Sequence, residues 1–224
     1  KIMRKLLFIF VLFLASTAGA QKLLHYDLAD GLSSSEITSI CENDYYMWIA
    51  TEDGLNRFDG HRFKVYKSGK ATNNSLKNNN IETLFLDSKG LLWIGFYQLG
   101  VDYTLFQSDL FSTYQYENLF DSRDMAVRTI AFHGSQKLIG SRDGFVFIDE
   151  ADGRFQIFKA PRLRASIIVS SCYFDGKYYI GTYGGGMYVL DGVTLELRDF
   201  EIASEPSGMD IFLYFVLTIG EICG

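Results

Sequence analysis

The chain repeats itself, and the repeat constrains its fold more than any other feature. Four short segments align: Trp48-Ile49-Ala50-Thr51, Trp93-Ile94-Gly95-Phe96, Leu138-Ile139-Gly140-Ser141 and Tyr179-Ile180-Gly181-Thr182, with first residues 45, 45 and 41 positions apart. Upstream of each lies another apolar segment, beginning at Ile37, Ile81, Val127 and Ile168. Turn residues such as Asp87-Ser88-Lys89-Gly90 separate the two. Downstream, Asp53-Gly54, Asp143-Gly144 and Gly185-Gly186 each open a third segment, and Phe63, Phe111, Phe155 and Leu195 begin a fourth. Asp-Gly between apolar runs is a hairpin signal, so neighbouring segments read as antiparallel strands.

Each unit is therefore four short strands in about 45 residues, the period of a β-propeller blade. The expected fold is all-β, an incomplete propeller of about four four-stranded antiparallel blades near 37–66, 81–114, 127–158 and 168–200. Residues 22–27 read as an N-terminal outer strand. In a closed propeller such a strand completes the last blade. The second segment lacks strict alternation and reads as buried on both faces, with its glycine allowing close approach by a neighbour. No unit shows a 3.6-residue period, which excludes a helical solenoid.

Composition agrees. Hydrophobic residues make up 48% of 224, with 21 glycines, 14 tyrosines and 19 phenylalanines, which suits a folded, turn-rich β protein. The net charge of −6 argues against a nucleic-acid binder, which needs a cationic face. Three cysteines without a CxxC pair give neither a zinc ribbon nor a disulfide scaffold. Cys41 and Cys172 fall on first strands three blades apart, too far for a bridge, so both are expected as free thiols.

The first residues carry an address. Lys1, Arg4 and Lys5 precede an apolar run over 6–14, and Ala18-Gly19-Ala20 supplies a small-residue cleavage site. This pattern reads as a signal peptide over 1–20, since nine apolar residues are too few to cross a ~30 Å hydrocarbon core. Its removal takes away three basic residues and no acidic one, moving the net charge from −6 to −9. The expected location is periplasmic. At the other end, residues 201–224 read as the start of a further blade that then loses the pattern, as a truncation or a frame shift would produce.

Asp30-Gly31-Leu32-Ser33, the run from Ile37 to Ile40, Trp48-Ile49-Ala50-Thr51, Asp53-Gly54-Leu55-Asn56-Arg57-Phe58-Asp59 and the run from Phe63 to Tyr66 form one continuous signature. It resembles the two-component regulator propeller repeat, over about 22–200 in all. Blade two matches through Trp93-Ile94-Gly95 and the last two blades more loosely, with Leu138 and Tyr179 in place of Trp and Ala50 in place of Gly. The resemblance implies the periplasmic sensor region of a hybrid two-component system histidine kinase of Bacteroidetes type, detecting a glycan or another periplasmic ligand. It also implies a homodimer, and membrane contact only through C-terminal regions absent from this chain. No kinase or receiver motif can be placed in residues already assigned to blades. A secreted propeller enzyme acting on polysaccharide, or a protein-interaction scaffold, is the alternative.

The residues give little for catalysis. His25, His61 and His133 share no metal-ligand spacing, and no G-x-S-x-G elbow occurs, so no metal, cofactor or catalytic group is expected. Glu42 and Glu82 lie on first strands without an evident carboxylate partner. Trp48 and Trp93 read as blade core, and Asp53, Asp59 and Asp143 as turn residues bonding their own backbone. Four residues at the second turn, Glu52, Tyr97, Arg142 and Tyr183, occupy equivalent places around the expected channel. They are the candidate ligand-binding set, suited to an oligosaccharide by ring stacking and hydrogen bonding. That turn shares its face with the longest connections, 68–80, 116–124 and 161–166.

Overall fold

A computed structural model describes residues 23–43, 45–69, 75–105, 108–114, 126–159 and 167–200. The expected signal peptide over 1–20, the tail 201–224, residues 70–74 of the first long connection and all of the other two lie outside the described residues. Sixteen strands form four separate four-stranded antiparallel sheets, as the repeat requires. Blade one holds β1 (Ile37–Glu42), β2 (Met47–Thr51), β3 (Gly54–Phe58) and β4 (Phe63–Tyr66). Blade two holds β5 (Ile81–Leu86), β6 (Leu91–Phe96), β7 (Val101–Leu105) and β8 (Ser112–Thr113). Blade three holds β9 (Val127–His133), β10 (Gln136–Ser141), β11 (Gly144–Asp149) and β12 (Arg154–Lys159). Blade four holds β13 (Ile168–Phe174), β14 (Lys177–Thr182), β15 (Gly186–Asp191) and β16 (Leu197–Asp199). The one helical element among the described residues is a 3-10 turn over Leu28–Asp30.

Strand order within each sheet follows the chain, so every connection inside a blade is a hairpin. Consecutive blades pack through their first strands, β1 on β5, β5 on β9 and β9 on β13, which places these strands innermost. The core lies between blades. Trp48, Ala50 and Leu55 of blade one pack with Ile81 and Leu84 of blade two. Trp93 and Val101 of blade two pack with Val127 and Ile130 of blade three. Leu138 and Phe145 of blade three pack with Ile168 and Ile180 of blade four. Trp48 and Trp93 are both buried, as their repeat position predicts.

Each pairing of first and second strands slips at one residue, skipping Thr38, Glu82, Arg128 and Val169 in turn. Such a bulge bends the strand and raises its local twist. Its recurrence at one position gives all four blades the same bend where they approach the axis.

Leu23–Asp27, the described part of the expected outer strand over 22–27, pairs with none of the four described sheets, and the outer edge of β3 is held by β4. Tyr26 packs edge-on against Phe58 and Phe63 at centroid distances of 4.9 and 5.8 Å. Asp27 then caps the 3-10 turn, accepting a bond from the Ala29 N–H.

Candidate functional site

The second turn of each blade joins the second and third strands, and its first residue is Glu52, Tyr97, Arg142 or Tyr183. Backbone bonds fix where this residue stands. The N–H groups of Glu52, Tyr97 and Tyr183 donate to the carbonyls of Glu36, Asn80 and Ile167, each just ahead of an innermost strand. The turn is thereby held at the axial end of the blade, beside the bulge.

Hydroxyl groups shape three of the four turns. Thr51, Ser141 and Thr182 each donate to the carbonyl of the glycine that opens the third strand, Gly54, Gly144 or Gly186. The Thr51 and Ser141 hydroxyls also accept from the N–H of Asp53 and Asp143. The turn is closed by a hydroxyl, where the sequence suggested the aspartate side chain. The Asp53 carboxylate reaches Lys67 and Asn79 instead, at 2.6 and 3.3 Å. Asp59 does bond its own backbone, accepting from the N–H groups of His61 and Arg62. Gly144 has φ +130°, and a Cβ there would stand 2.0 Å from the Phe158 carbonyl oxygen, so only glycine fits.

Blade two builds this turn differently. It has no hydroxyl, the loop over 97–100 is longer, and Leu99 adopts a positive φ of 76°. Tyr97 is half-buried as a result, and Arg142 of the next blade lies against it. The guanidinium carbon is 5.8 Å from the ring centroid, and Nη2 is 3.5 Å from the phenol oxygen. Among the described residues no carboxylate pairs with Arg142. Glu52 and Tyr183 stand at the equivalent places on blades one and four, both exposed, and neither bonds to the Tyr97–Arg142 pair. The bulge residues lie at this same end, where Arg128 of blade three meets Glu82 of blade two at 3.7 Å. Glu82 is therefore the acidic half of an ion pair between blades.

Two functions of side chains were not legible in the repeat. Asn56 and Asp102 hold the same register position, opposite Ile49 and Ile94. Asn56 accepts the Ser33 N–H at 2.9 Å, and Asp102 accepts the Lys77 N–H at 3.1 Å. Leu32 and Leu76, one residue earlier, are buried. A leucine plug followed by a capped N–H thus fixes the segment leading into each of the first two blades. Val146 and Tyr188 replace the capping residue in blades three and four. Burial pushes the Asp102 carboxyl up, although Thr113 and the Lys77 N–H both bond it.

The second missed group is Lys137, buried at the opposite end of the blades, in a cleft of about 530 Å³ between blades two and three. Its ammonium lies 5.3 Å from the Trp93 ring, 5.0 Å from Tyr114 and 5.7 Å from Phe132. Glu150 pairs with it and accepts from the Tyr114 hydroxyl at 3.0 Å. Partial burial works to raise the Glu150 carboxyl, but these two partners hold it below its ordinary value. Local sequence hides this arrangement because its members come from two blades. No group of three or more metal-ligating side chains exists among the described residues, and His133 stacks on Tyr173 at 3.8 Å. No helix among them is long and apolar enough to cross a membrane.

Comparison with known proteins matches the sequence to the two component regulator propeller family over residues 31–53 and 75–98. Those spans begin at the two plugged and capped segments. A stretch of 48 residues is 42% identical to histidine kinase P4 of Formosa agariphila, covering 21% of this chain and 4% of that one. The fold is similar to the crystal structure of the extracellular domain of BT3049 from B. thetaiotaomicron, described as a hybrid two component system. There the TM-score is 0.66 at 25% identity, over 80% of this chain and 26% of the other. The extracellular domain of BT4673 from the same organism gives 0.60 at 20% identity, over 79% and 23%. The chain thus spans about a quarter of the length of these structures. The two matched repeats lie in blades one and two, and these similar solved structures are extracellular domains.

Proposed function

We propose that this chain, which carries two-component regulator propeller repeats, is a ligand-sensing segment of a periplasmic receptor and that it meets its ligand at the second-turn face. The observation that carries this reading is the Tyr97–Arg142 pair, where an aromatic ring and a guanidinium without a carboxylate partner among the described residues meet across a blade boundary. Turns anchored to the innermost strands give such groups a rigid base, which is how binding residues on loops gain precision. An oligosaccharide suits the set. Tyr97 and Tyr183 offer ring faces, and Arg142 offers paired N–H donors to hydroxyl or carboxylate oxygens. The signal peptide and the periplasmic location belong to this reading, as does a kinase carried by the longer receptor.

Thermal shift against a panel of neutral and acidic oligosaccharides tests it. A ligand at 100 times its dissociation constant adds about 2.7 kcal/mol of stability. Tyr97→Ala should abolish the shift while leaving the unliganded melting temperature within a degree or two, and Arg142→Ala should weaken acidic ligands most. A shift that survives Tyr97→Ala, Arg142→Ala and Tyr183→Ala together places the ligand elsewhere.

A further inference from the structure

Every residue that lines the cleft at Lys137 comes from blade two or blade three, and its volume of about 530 Å³ falls in the range of small-molecule sites. The charges there do not balance internally. The Lys137 side chain is 8% exposed, and the Glu150 carboxylate is the one hydrogen-bond acceptor that its ammonium meets among the described residues. An ammonium carries three donors, and burying them without acceptors costs free energy. Glu150 receives both Lys137 and the Tyr114 hydroxyl on Oε1, so that its Oε2 accepts nothing from the described residues. A second ammonium, on Lys89, belongs to the same cleft, exposed and without a carboxylate partner among the described residues. Asp87 does not fill these gaps. Its oxygens are taken by the N–H groups of Lys89 and Leu91 and by the Trp93 indole.

The walls are aromatic. Tyr103, Tyr114 and Phe132 pack around the Trp93 ring and are themselves only half-buried, which leaves ring surface to be covered. A molecule that completes the cleft must offer an acceptor to the ammonium groups, a donor to the Glu150 Oε2 and an apolar body to the rings.

We propose that the cleft between blades two and three binds a free α-amino acid with an apolar or aromatic side chain. Its carboxylate meets Lys137 and Lys89, its ammonium meets Glu150, and its side chain lies against Tyr103, Tyr114 and Phe132. An α-amino acid carries opposite charges on neighbouring atoms of one small molecule, as the adjacent Lys137 and Glu150 require, and charge-assisted hydrogen bonds of this kind are the strong ones. A neutral sugar lacks the charge pair. The cleft and the second-turn face therefore select different chemistry, and each stands or falls without the other.

Titration of the isotope-labelled chain with L-phenylalanine and with L-leucine tests the proposal, read by amide shifts and by the Trp93 indole N–H resonance. Saturable shifts should fall on residues 88–91, 133–137 and Glu150. N-acetylphenylalanine lacks the ammonium and phenylalaninamide lacks the carboxylate, and each should bind about tenfold more weakly, the effect of losing one charged hydrogen bond. Lys137→Met keeps the buried stem and should abolish binding. Should that variant fail to fold, two substitutions on exposed side chains carry the test. Lys89→Met should weaken phenylalanine, and Glu150→Gln should erase its advantage over N-acetylphenylalanine. The absence of saturable shifts with either amino acid at millimolar concentration overturns the proposal. So do shifts centred away from the cleft, or equal affinity for phenylalanine and its two blocked derivatives.

Discussion

A Cβ on Gly95 would stand 2.6 Å from the Thr83 Cγ2 within blade two and 2.8 Å from the Val127 Cγ1 of blade three. Gly140 repeats the relationship with Thr129 at 2.6 Å and Ile168 at 2.8 Å. In blade one the pair changes on both sides at once: Ala50 stands opposite Ser39, which has no Cγ2. The alanine that departs from the repeat is thus matched by a serine across the ladder. The Ser39 oxygen also accepts the Leu84 N–H of the next blade at 3.1 Å.

Gly95→Ala should therefore destabilise the fold by about 1–3 kcal/mol, the usual range for overpacking a close-fitting core. Adding Thr83→Ser should recover a measurable part of that loss, because the nearer of the two methyl contacts disappears. Urea unfolding of the two single variants and the double variant checks this as a coupling energy. Strict additivity would contradict the assigned contact.

Trp93 joins blades two and three, packing at 4.7 Å from Phe132 and donating its indole N–H to Asp87 at 3.0 Å. Trp93→Ala should cost about 3–5 kcal/mol, as other large-to-small core changes do. An unchanged denaturant midpoint would show that this ring is not core.

Asp102 gives the chain a distinctive pH response. Burial raises its folded pKa above the unfolded value, so the native state keeps a proton that the unfolded chain has already lost. Its contribution therefore falls as pH rises through the interval between the two values, and the deficit is complete above the folded pKa. Asp102→Asn removes the charge while retaining an acceptor for the Lys77 N–H, as Asn56 does for Ser33. The variant should melt higher than wild type at neutral pH, with the difference narrowing as the pH falls through the acid range. A constant or inverted difference would contradict it.

How much of this was legible depended on where the information lay along the chain. Strands bounded by Asp-Gly turns could be read directly, because the turn chemistry and the apolar runs sit side by side in sequence. The third strand of blade two, Val101–Leu105, could not. Its turn replaces Asp-Gly with a four-residue loop that places Leu99 at positive φ. The equivalence of Glu52, Tyr97, Arg142 and Tyr183 followed from repeat alignment alone. That Arg142 rests on Tyr97, that Glu82 meets Arg128, and that Lys137 lies among aromatic rings depends on contacts between blades, which no local pattern encodes.

Cys41 lies on β1 and Cys172 on β13, and no disulfide joins them. Burial, with help from Glu42, pushes the Cys41 thiol up to about 11, so little thiolate exists at neutral pH. Alkylation by iodoacetamide at pH 8 should be slow for the folded protein and fast in denaturant. Intact mass under non-reducing conditions should show no bridge between them. A bridge would contradict the blade assignment.

The location of the ligand is tested most directly by amide chemical-shift mapping of the labelled chain titrated with neutral and uronic-acid oligosaccharides. The largest perturbations should fall on residues 52–54, 97–100, 142–144 and 183–186, the four second turns around the Tyr97–Arg142 pair. Perturbations centred instead on 87–90, 134–137 and Glu150 would place the ligand in the cleft at Lys137, at the opposite end of the blades, and would contradict the account.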